Sequence, residues 1–318
     1  MLNRRHIRIK VMQSLYAFYC SDGNLSQNEV EKGLNANINR LYELYLYIIL
    51  FTKELISFAE FYDDEVKSRI FPSAKERNFN ARFYLNPVAS VLLNSGLIVK
   101  TLESNKILWN SEDNDLLRKI FFDLKSSETY QDYIHSDETQ GIDNTEIYSF
   151  ILKQYPENFA LLEQHFEEKF INWYDDYKIA IQMAIKTFRQ IQSDPEGVDF
   201  ILPLLKEEED TGDFAINLFR SVILNGELLD QLITTKIDKW EPSRVALIDI
   251  LILKIGVTEF LFFPNIPVKV TINESIELAK NYSSPNSRKF INGVLDNILI
   301  DLKSKDKIKK SGMGLVNE

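Results

Sequence analysis

The chain has 318 residues, enough for one large domain or two ordinary ones with sizeable cores. A content of 45% hydrophobic and 26% charged residues excludes an intrinsically disordered polypeptide, and a single cysteine, Cys20, excludes an internal disulfide framework. With 37 basic against 47 acidic residues the protein is acidic, which taken alone argues against nucleic acid as a partner.

The distribution of charge reverses that inference. The first ten residues hold Arg4, Arg5, Arg8 and Lys10 and no acid, and basic residues gather again between 240 and 310, around an acidic middle. Directly after the arm, Ile7, Val11, Leu15 and Phe18 recur at helical steps over 7–19. Asp22-Gly23-Asn24 then supplies turn chemistry. Apolar positions from Leu34 to about Tyr62 predict one long helix. Beyond Pro72 and Pro87 the pattern loosens, with helical stretches near 87–104, 113–125 and 145–169. A better helix follows over 174–192, with Ile181, Ala184, Ile185 and Phe188 on one face, and the acidic run at 206–210 marks a boundary.

After the boundary, Phe214, Leu218, Val222 and Ile223 begin a helix that continues toward Leu232. Trp240-Glu241-Pro242 opens the next, with proline at a first-turn position where its missing N–H costs nothing. The body of this helix, 244–262, is apolar on nearly every side and belongs at the centre of a bundle. The run 246–263 is also the most membrane-like segment, but Asp249, Lys254 and Glu259 are spaced along it, and three charges are too costly for a bilayer span. Pro264 and Pro267 stop it, and helices over 270–281 and 285–303 follow. The chain therefore reads as all-α. No secretory signal is visible, so a soluble, cytoplasmic protein is expected.

Catalytic and cofactor chemistry is not indicated. The three histidines and one cysteine match no zinc spacing, and the glycine-rich phosphate loops, the G-x-S-x-G elbow and H-E-x-x-H are all missing. No catalytic residue, metal ligand or cofactor is expected, and a binding protein is favoured over an enzyme.

Three segments carry the information. The first is the arm with Gln13-Ser14-Leu15-Tyr16. The second contains Trp240, Arg244, Ile248 and Asp249, then Glu259, Ile266-Pro267, Val270, Ile272-Asn273-Glu274 and Ile276-Glu277-Leu278-Ala279-Lys280. The third is Lys289–Asp296, KFINGVLD. Several such motifs in this order resemble the NusB family of bacterial transcription antitermination factors. The resemblance covers about 1–20 and 211–303, which would form a NusB-like RNA-binding helical bundle. Residues 21–210 would be a large helical insertion, and 304–318 a disordered tail.

The resemblance implies binding of a short single-stranded RNA of boxA type, from ribosomal RNA leader transcripts. It further implies the ribosomal protein NusE as partner and RNA polymerase as the indirect target, with no membrane role. On that reading Arg4, Arg5 and Arg8 are permanently charged forks for phosphate or base stacking, and His6 is a nearby donor that gains charge at lower pH. Tyr16 would stack on a base. Arg288, Lys289, Phe290 and Asn292 form a second RNA-binding cluster, expected to lie beside the arm. Asp249 and Glu274 are candidates for the partner protein, and Gly293 for a close helix crossing. Two alternatives stand beside this reading: a helical protein-interaction scaffold with a decayed RNA site, and an accessory domain of an RNA methyltransferase. The second lacks the glycine-rich cofactor loop and reactive cysteine it would need.

Overall fold

In the computed structural model, which describes residues 4–70, 80–136, 143–197, 200–204, 208–237 (side chains from 213) and 245–311, the chain is all-α; no strand occurs among the described residues. Helix α1 (Arg4–Cys20) ends in the expected turn, where Asp22 and Gly23 adopt left-handed φ values of 48° and 81°. Helix α2 (Gln27–Ser68) starts earlier than the apolar periodicity alone predicts, because Ser26 and Glu29 form a reciprocal cap. Glu29 accepts from the Ser26 N–H at 2.8 Å and hydroxyl at 2.7 Å, while its own N–H donates to Ser26 Oγ at 3.3 Å.

Two compact units result, one of Asn39–Leu204 and the other of Leu2–Ile38 with Leu205–Glu318. In the first unit, the body of α2 is followed by α3 (Arg82–Leu85), α4 (Pro87–Asn94), α5 (Gly96–Ser104), α6 (Asn114–Ser126), α7 (Glu128–His135), α8 (Thr145–Asn158), α9 (Ala160–Lys169) and α10 (Trp173–Ser193). The expected stretches 87–104 and 145–169 are each broken once, at Ser95 and at Phe159, where the backbone leaves the helical region. The core is aromatic. Phe166 stacks on Trp173 with centroids 4.4 Å apart, and Tyr47 packs against Trp109, His165 and Phe166. Several of its hydroxyls find internal partners: Tyr47 bonds His165 Nε2 at 2.7 Å, Tyr45 bonds Thr187 at 2.6 Å, and Tyr148 donates to the Phe83 carbonyl at 2.7 Å, whereas the Tyr130 hydroxyl and Trp109 Nε1 are buried without a partner among the described residues.

The second unit contains α1, the start of α2, α11 (Glu208–Leu224), α12 (Gly226–Ile237), α13 (Leu247–Phe262), α14 (Val268–Tyr282) and α15 (Ser287–Ser304). The helix expected to run on toward Leu232 stops at Asn225 and restarts at Gly226 as α12. Every residue from Leu251 to Phe260 is buried, so α13 is the central helix that its all-round apolarity predicted. Around it pack α1, α11, α12, α14 and α15. The opening turn expected at Trp240-Glu241-Pro242, together with Arg244, lies outside the described residues. The tail, expected to be disordered from 304, is fixed as far as Ser311. Lys310 Nζ donates to the carbonyls of Glu259 (2.9 Å) and Phe263 (3.0 Å) at the end of α13, and the Ser311 N–H donates to the Pro264 carbonyl.

The glycine at the helix crossing is Gly256 rather than Gly293. A Cβ on Gly256 would meet Leu295 Cδ2 at 3.0 Å and Ser275 Oγ at 3.1 Å, so α14 and α15 both approach α13 at this point, whereas a Cβ on Gly293 would meet nothing within 4 Å. Gly256→Ala is therefore expected to destabilise by about 1–3 kcal/mol through overpacking. Gly293→Ala should instead stabilise, by up to about 1 kcal/mol, by removing helix-interior glycine. Urea denaturation of both variants checks the opposite signs.

Candidate functional site

Asp249, Lys254 and Glu259 follow one another on α13 at five-residue intervals. Five residues of α-helix turn about 140° beyond a full circle, so the three charges face three different neighbours. All three are buried, and a buried charge must be paired or hydrogen-bonded.

Glu259 takes its cation from the arm. Arg8 Nε donates to Oε1 at 2.6 Å and Nη2 to Oε2 at 3.1 Å, and the Thr271 hydroxyl donates to Oε2 at 2.7 Å. Arg8 is 2% exposed, and its guanidinium lies 5.5 Å from the centre of the Phe214 ring. Lys254 Nζ donates to Asp230 Oδ2 at 2.9 Å and to the Tyr19 hydroxyl at 3.1 Å, which joins α13 to α12 and to the far end of α1. At the start of α13, Asp249 Oδ2 accepts from the Ser287 hydroxyl at 2.7 Å, which joins it to α15. A further two-pronged pair, Arg220 with Glu31 at 2.8 and 2.7 Å, fixes the start of α2 to α11.

The outer face of the arm differs in character. Arg5 has a side chain 44% exposed and is held by Glu274 of α14, with Nε to Oε2 at 2.8 Å and Nη2 to Oε1 at 2.9 Å. Its hydrogen bond to Glu274 raises its pKa further. Arg4 is half-exposed, 5.4 Å from the centre of the Phe214 ring. His6 is half-buried. Burial, then the Arg5 charge, lowers its pKa to about 4 from the ordinary 6.5, so it adds no charge to the arm near neutrality. Tyr16 is 45% exposed, with a pKa raised by a side-chain hydrogen bond to Cys20. Arg5, Ile9, Gln13, Tyr16 and Cys20 recur at steps of four, four, three and four, and mark one side of α1.

The candidates thus divide into two sets. Arg4, Arg5, Tyr16, Arg288, Lys289 and Asn292 reach the surface, with the Asn292 amide donating to Asp296 at 3.0 Å, and Glu274 is half-exposed. Arg8, Phe290 and Asp249 turn inward and do not offer the surface contacts expected of them. Phe290 belongs to the inner stripe of α15 with Ile291, Val294 and Leu295. Arg8 is consumed by its pair with Glu259, and Asp249 accepts one hydrogen bond from Ser287 while its Oδ1 is buried without a partner among the described residues.

The two basic clusters are also not neighbours. Arg8 meets α13 at Glu259 near its carboxyl end, and α15 begins beside Asp249 near its amino end. Ten residues of helix separate these points by about 15 Å. Helix α1 packs chiefly on α11 and α13 and reaches α14 through the Arg5–Glu274 pair, whereas α15 packs chiefly on α12, α13 and α14. What the periodicity missed was the Arg8–Glu259 pair. Its signal was present, since a buried acid at the end of a largely apolar helix requires a cation, and Arg8 adjoins the buried stripe of Ile7, Val11 and Leu15.

Among the described residues no group of three or more His, Cys, Asp or Glu could hold a metal ion, and no helix is long and apolar enough to cross a membrane. The second unit is an all-helical bundle around one buried, charge-bearing helix, with a basic amino-terminal arm at one end. The NusB family model matches residues 178–299, a stretch beginning within α10. Over 112 residues the chain is 44% identical to the transcription antitermination protein NusB of Salinibacter ruber, covering 35% of this chain and 70% of that protein. It is 42% identical over 102 residues to the same protein of Koribacter versatilis, covering 32% and 70%. A solved structure of T. maritima NusB is 31% identical, covering 40% of this chain and 94% of that one, with a TM-score of 0.30. The chain belongs to the NusB family.

Arg8→Ala leaves Glu259 as a buried, unpaired carboxylate and is expected to cost about 3–5 kcal/mol of stability. Arg8→Lys keeps the charge but loses the fork and should fall between the variant and the wild type in a urea melt. Unfolded His6 takes up its proton near pH 6.5 and folded His6 only near 4. Its contribution to stability is thus intact above 6.5 and lost as the pH falls toward 4. An NMR titration of the His6 ring with a midpoint near 6.5 would contradict this.

Proposed function

We propose that the protein is an RNA-binding transcription antitermination factor that holds a boxA-like single strand together with NusE and acts on ribosomal RNA transcription. The RNA polymerase elongation complex enters through that assembly. Family membership supports the antitermination role, since the relatives named above are transcription antitermination proteins. We assign RNA binding to segments 1–20 and 211–303, and treat 21–210 as the added helical region. No catalytic step is assigned to any residue.

One observation carries the RNA reading. An exposed arginine, Arg5, stands on the arm beside Arg4, on a helix whose next turn is locked into the core by Arg8. The arm therefore presents cations from a rigid base, which lowers the ordering cost when a phosphate binds. Glu274 already occupies two donors of Arg5, so a phosphate must share or displace that carboxylate; on this reading Glu274 positions Arg5 and competes with the strand. Tyr16 extends the surface along α1. Arg288, Lys289 and Asn292 receive the strand from α15, so several nucleotides rather than one contact would be needed.

A second reading, a protein-interaction scaffold, is favoured by one fact: Arg5 and Arg8 are both engaged by carboxylates. The two separate in a titration of a boxA-like strand across a salt series, with and without NusE. The Arg4→Ala/Arg5→Ala double variant should bind more weakly, with a salt slope shallower by about 0.7 per lost phosphate contact. Wild-type and variant curves that coincide would favour the scaffold, and a strand of scrambled sequence bound equally well would reject boxA specificity.

A further inference from the structure

A cleft of about 520 Å³ opens in the second unit beside the arm, where α1, α11 and the carboxyl end of α13 meet. Arg4 stands over the Phe214 ring at its inner side, and Phe263 meets that ring edge-on with centroids 5.5 Å apart. Phe262, the last residue of α13, is 41% exposed, and the amide side chains of Asn217 and Asn265 are exposed around it. Its volume falls within the usual range of small-ligand sites.

We propose that this cleft takes one unpaired nucleobase from the strand held by the arm, with Phe262 as the stacking platform and Asn217 and Asn265 as edge readers. The inference rests on the RNA-binding reading above and adds a base subsite to it. Three observations select a base over a phosphate or a peptide. An exposed aromatic beside paired donor–acceptor amides is the combination by which proteins recognise splayed-out bases. Asp213 also lines the cleft, and its carboxylate repels phosphate while offering an acceptor to an exocyclic amine. Arg4 links the cleft to the arm, so a phosphate on Arg5 and a base in the cleft can belong to neighbouring nucleotides.

The site is held in place rather than draped over a loop end. Phe263 closes α13, its carbonyl accepts from Lys310 at 3.0 Å, and the Ser311 N–H holds the Pro264 carbonyl at 3.1 Å. Phe262 is 41% exposed, and an unchanged urea melt of the Phe262→Ala variant is the control that its truncation leaves the fold intact.

The test uses the full chain and boxA-like strands carrying 2-aminopurine at successive positions. One position should change its emission on binding to the wild type and fail to do so with Phe262→Ala. Affinity should fall roughly 5- to 150-fold in that variant, the effect of one stacked base. The salt slope should stay unchanged, in contrast to the arm variant. Asn217→Ala, with unchanged thermal melting, should weaken discrimination among bases at the same position. Arm-dependent RNA binding with Phe262→Ala equal to wild type would overturn the cleft proposal alone. A shallower slope in Phe262→Ala would overturn the assignment to a base, and no RNA binding by the wild type would overturn both readings.

Discussion

The second unit depends on the need to pair the charges of α13. Asp249, Lys254 and Glu259 sit on a helix whose middle is buried on every side, where an unpaired charge costs several kcal/mol. Their five-residue spacing directs each to a different neighbour: Asp249 holds α15 through a hydrogen bond from Ser287, Lys254 pairs with Asp230 of α12 and bonds Tyr19 of α1, and Glu259 pairs with Arg8 of α1. Hydrophobic burial brings these helices together without choosing their register, because it is non-directional. The charged pairs are directional, and they choose it. Gly256 adds a steric condition, since its missing side chain is what lets α14 and α15 approach the same turn of α13.

This arrangement divides the arginines of the arm. Arg8 is committed to Glu259 and Phe214 and serves as the anchor. Arg5, three residues earlier and nearer the rim of the helix, reaches the surface and is steadied by Glu274, which Arg8 Nη1 also approaches at 4.0 Å. A rigid anchor next to an exposed cation is a sound basis for a site that binds a flexible strand, because less order has to be imposed on binding. The same geometry places the aromatic cleft at the arm end of α13 and the basic start of α15 beside its other end, so the exposed basic and aromatic groups are spread along the bundle rather than gathered at one point.

The first unit is built on different terms. Its core is dense in aromatic rings, and some of the polar atoms among them are paired internally, as in the pairing of Tyr45 with Thr187 and of Tyr84 with Asp63, while Tyr130 and Trp109 bury a hydroxyl and an indole N–H without a partner among the described residues. Most of it precedes the stretch that matches the family model. Its order comes from the same rule as the second unit, buried polar groups finding fixed partners, applied with hydroxyls in place of charges.

Local pattern alone determined most of the helical segments, though not α3 or α7, that α13 lies at the centre, and the family, because helical periodicity and linked motifs are properties of short stretches. The break at Asn225 carries a turn signal in Asn225-Gly226, whereas Phe159 follows Pro156 by three residues without a turn dipeptide, and in both places the apolar pattern runs on through the break. The candidate site was legible only as a set of residue types. Arg4, Arg5 and Arg8 look alike in the sequence, and only the position of Glu259 in three dimensions turned one inward and left another at the surface. Phe290 and Phe262 are likewise both aromatic residues on helices, and packing buried the first and exposed the second. The tertiary structure decided these points because they depend on which distant residue occupies the facing position, and sequence spacing carries no record of that.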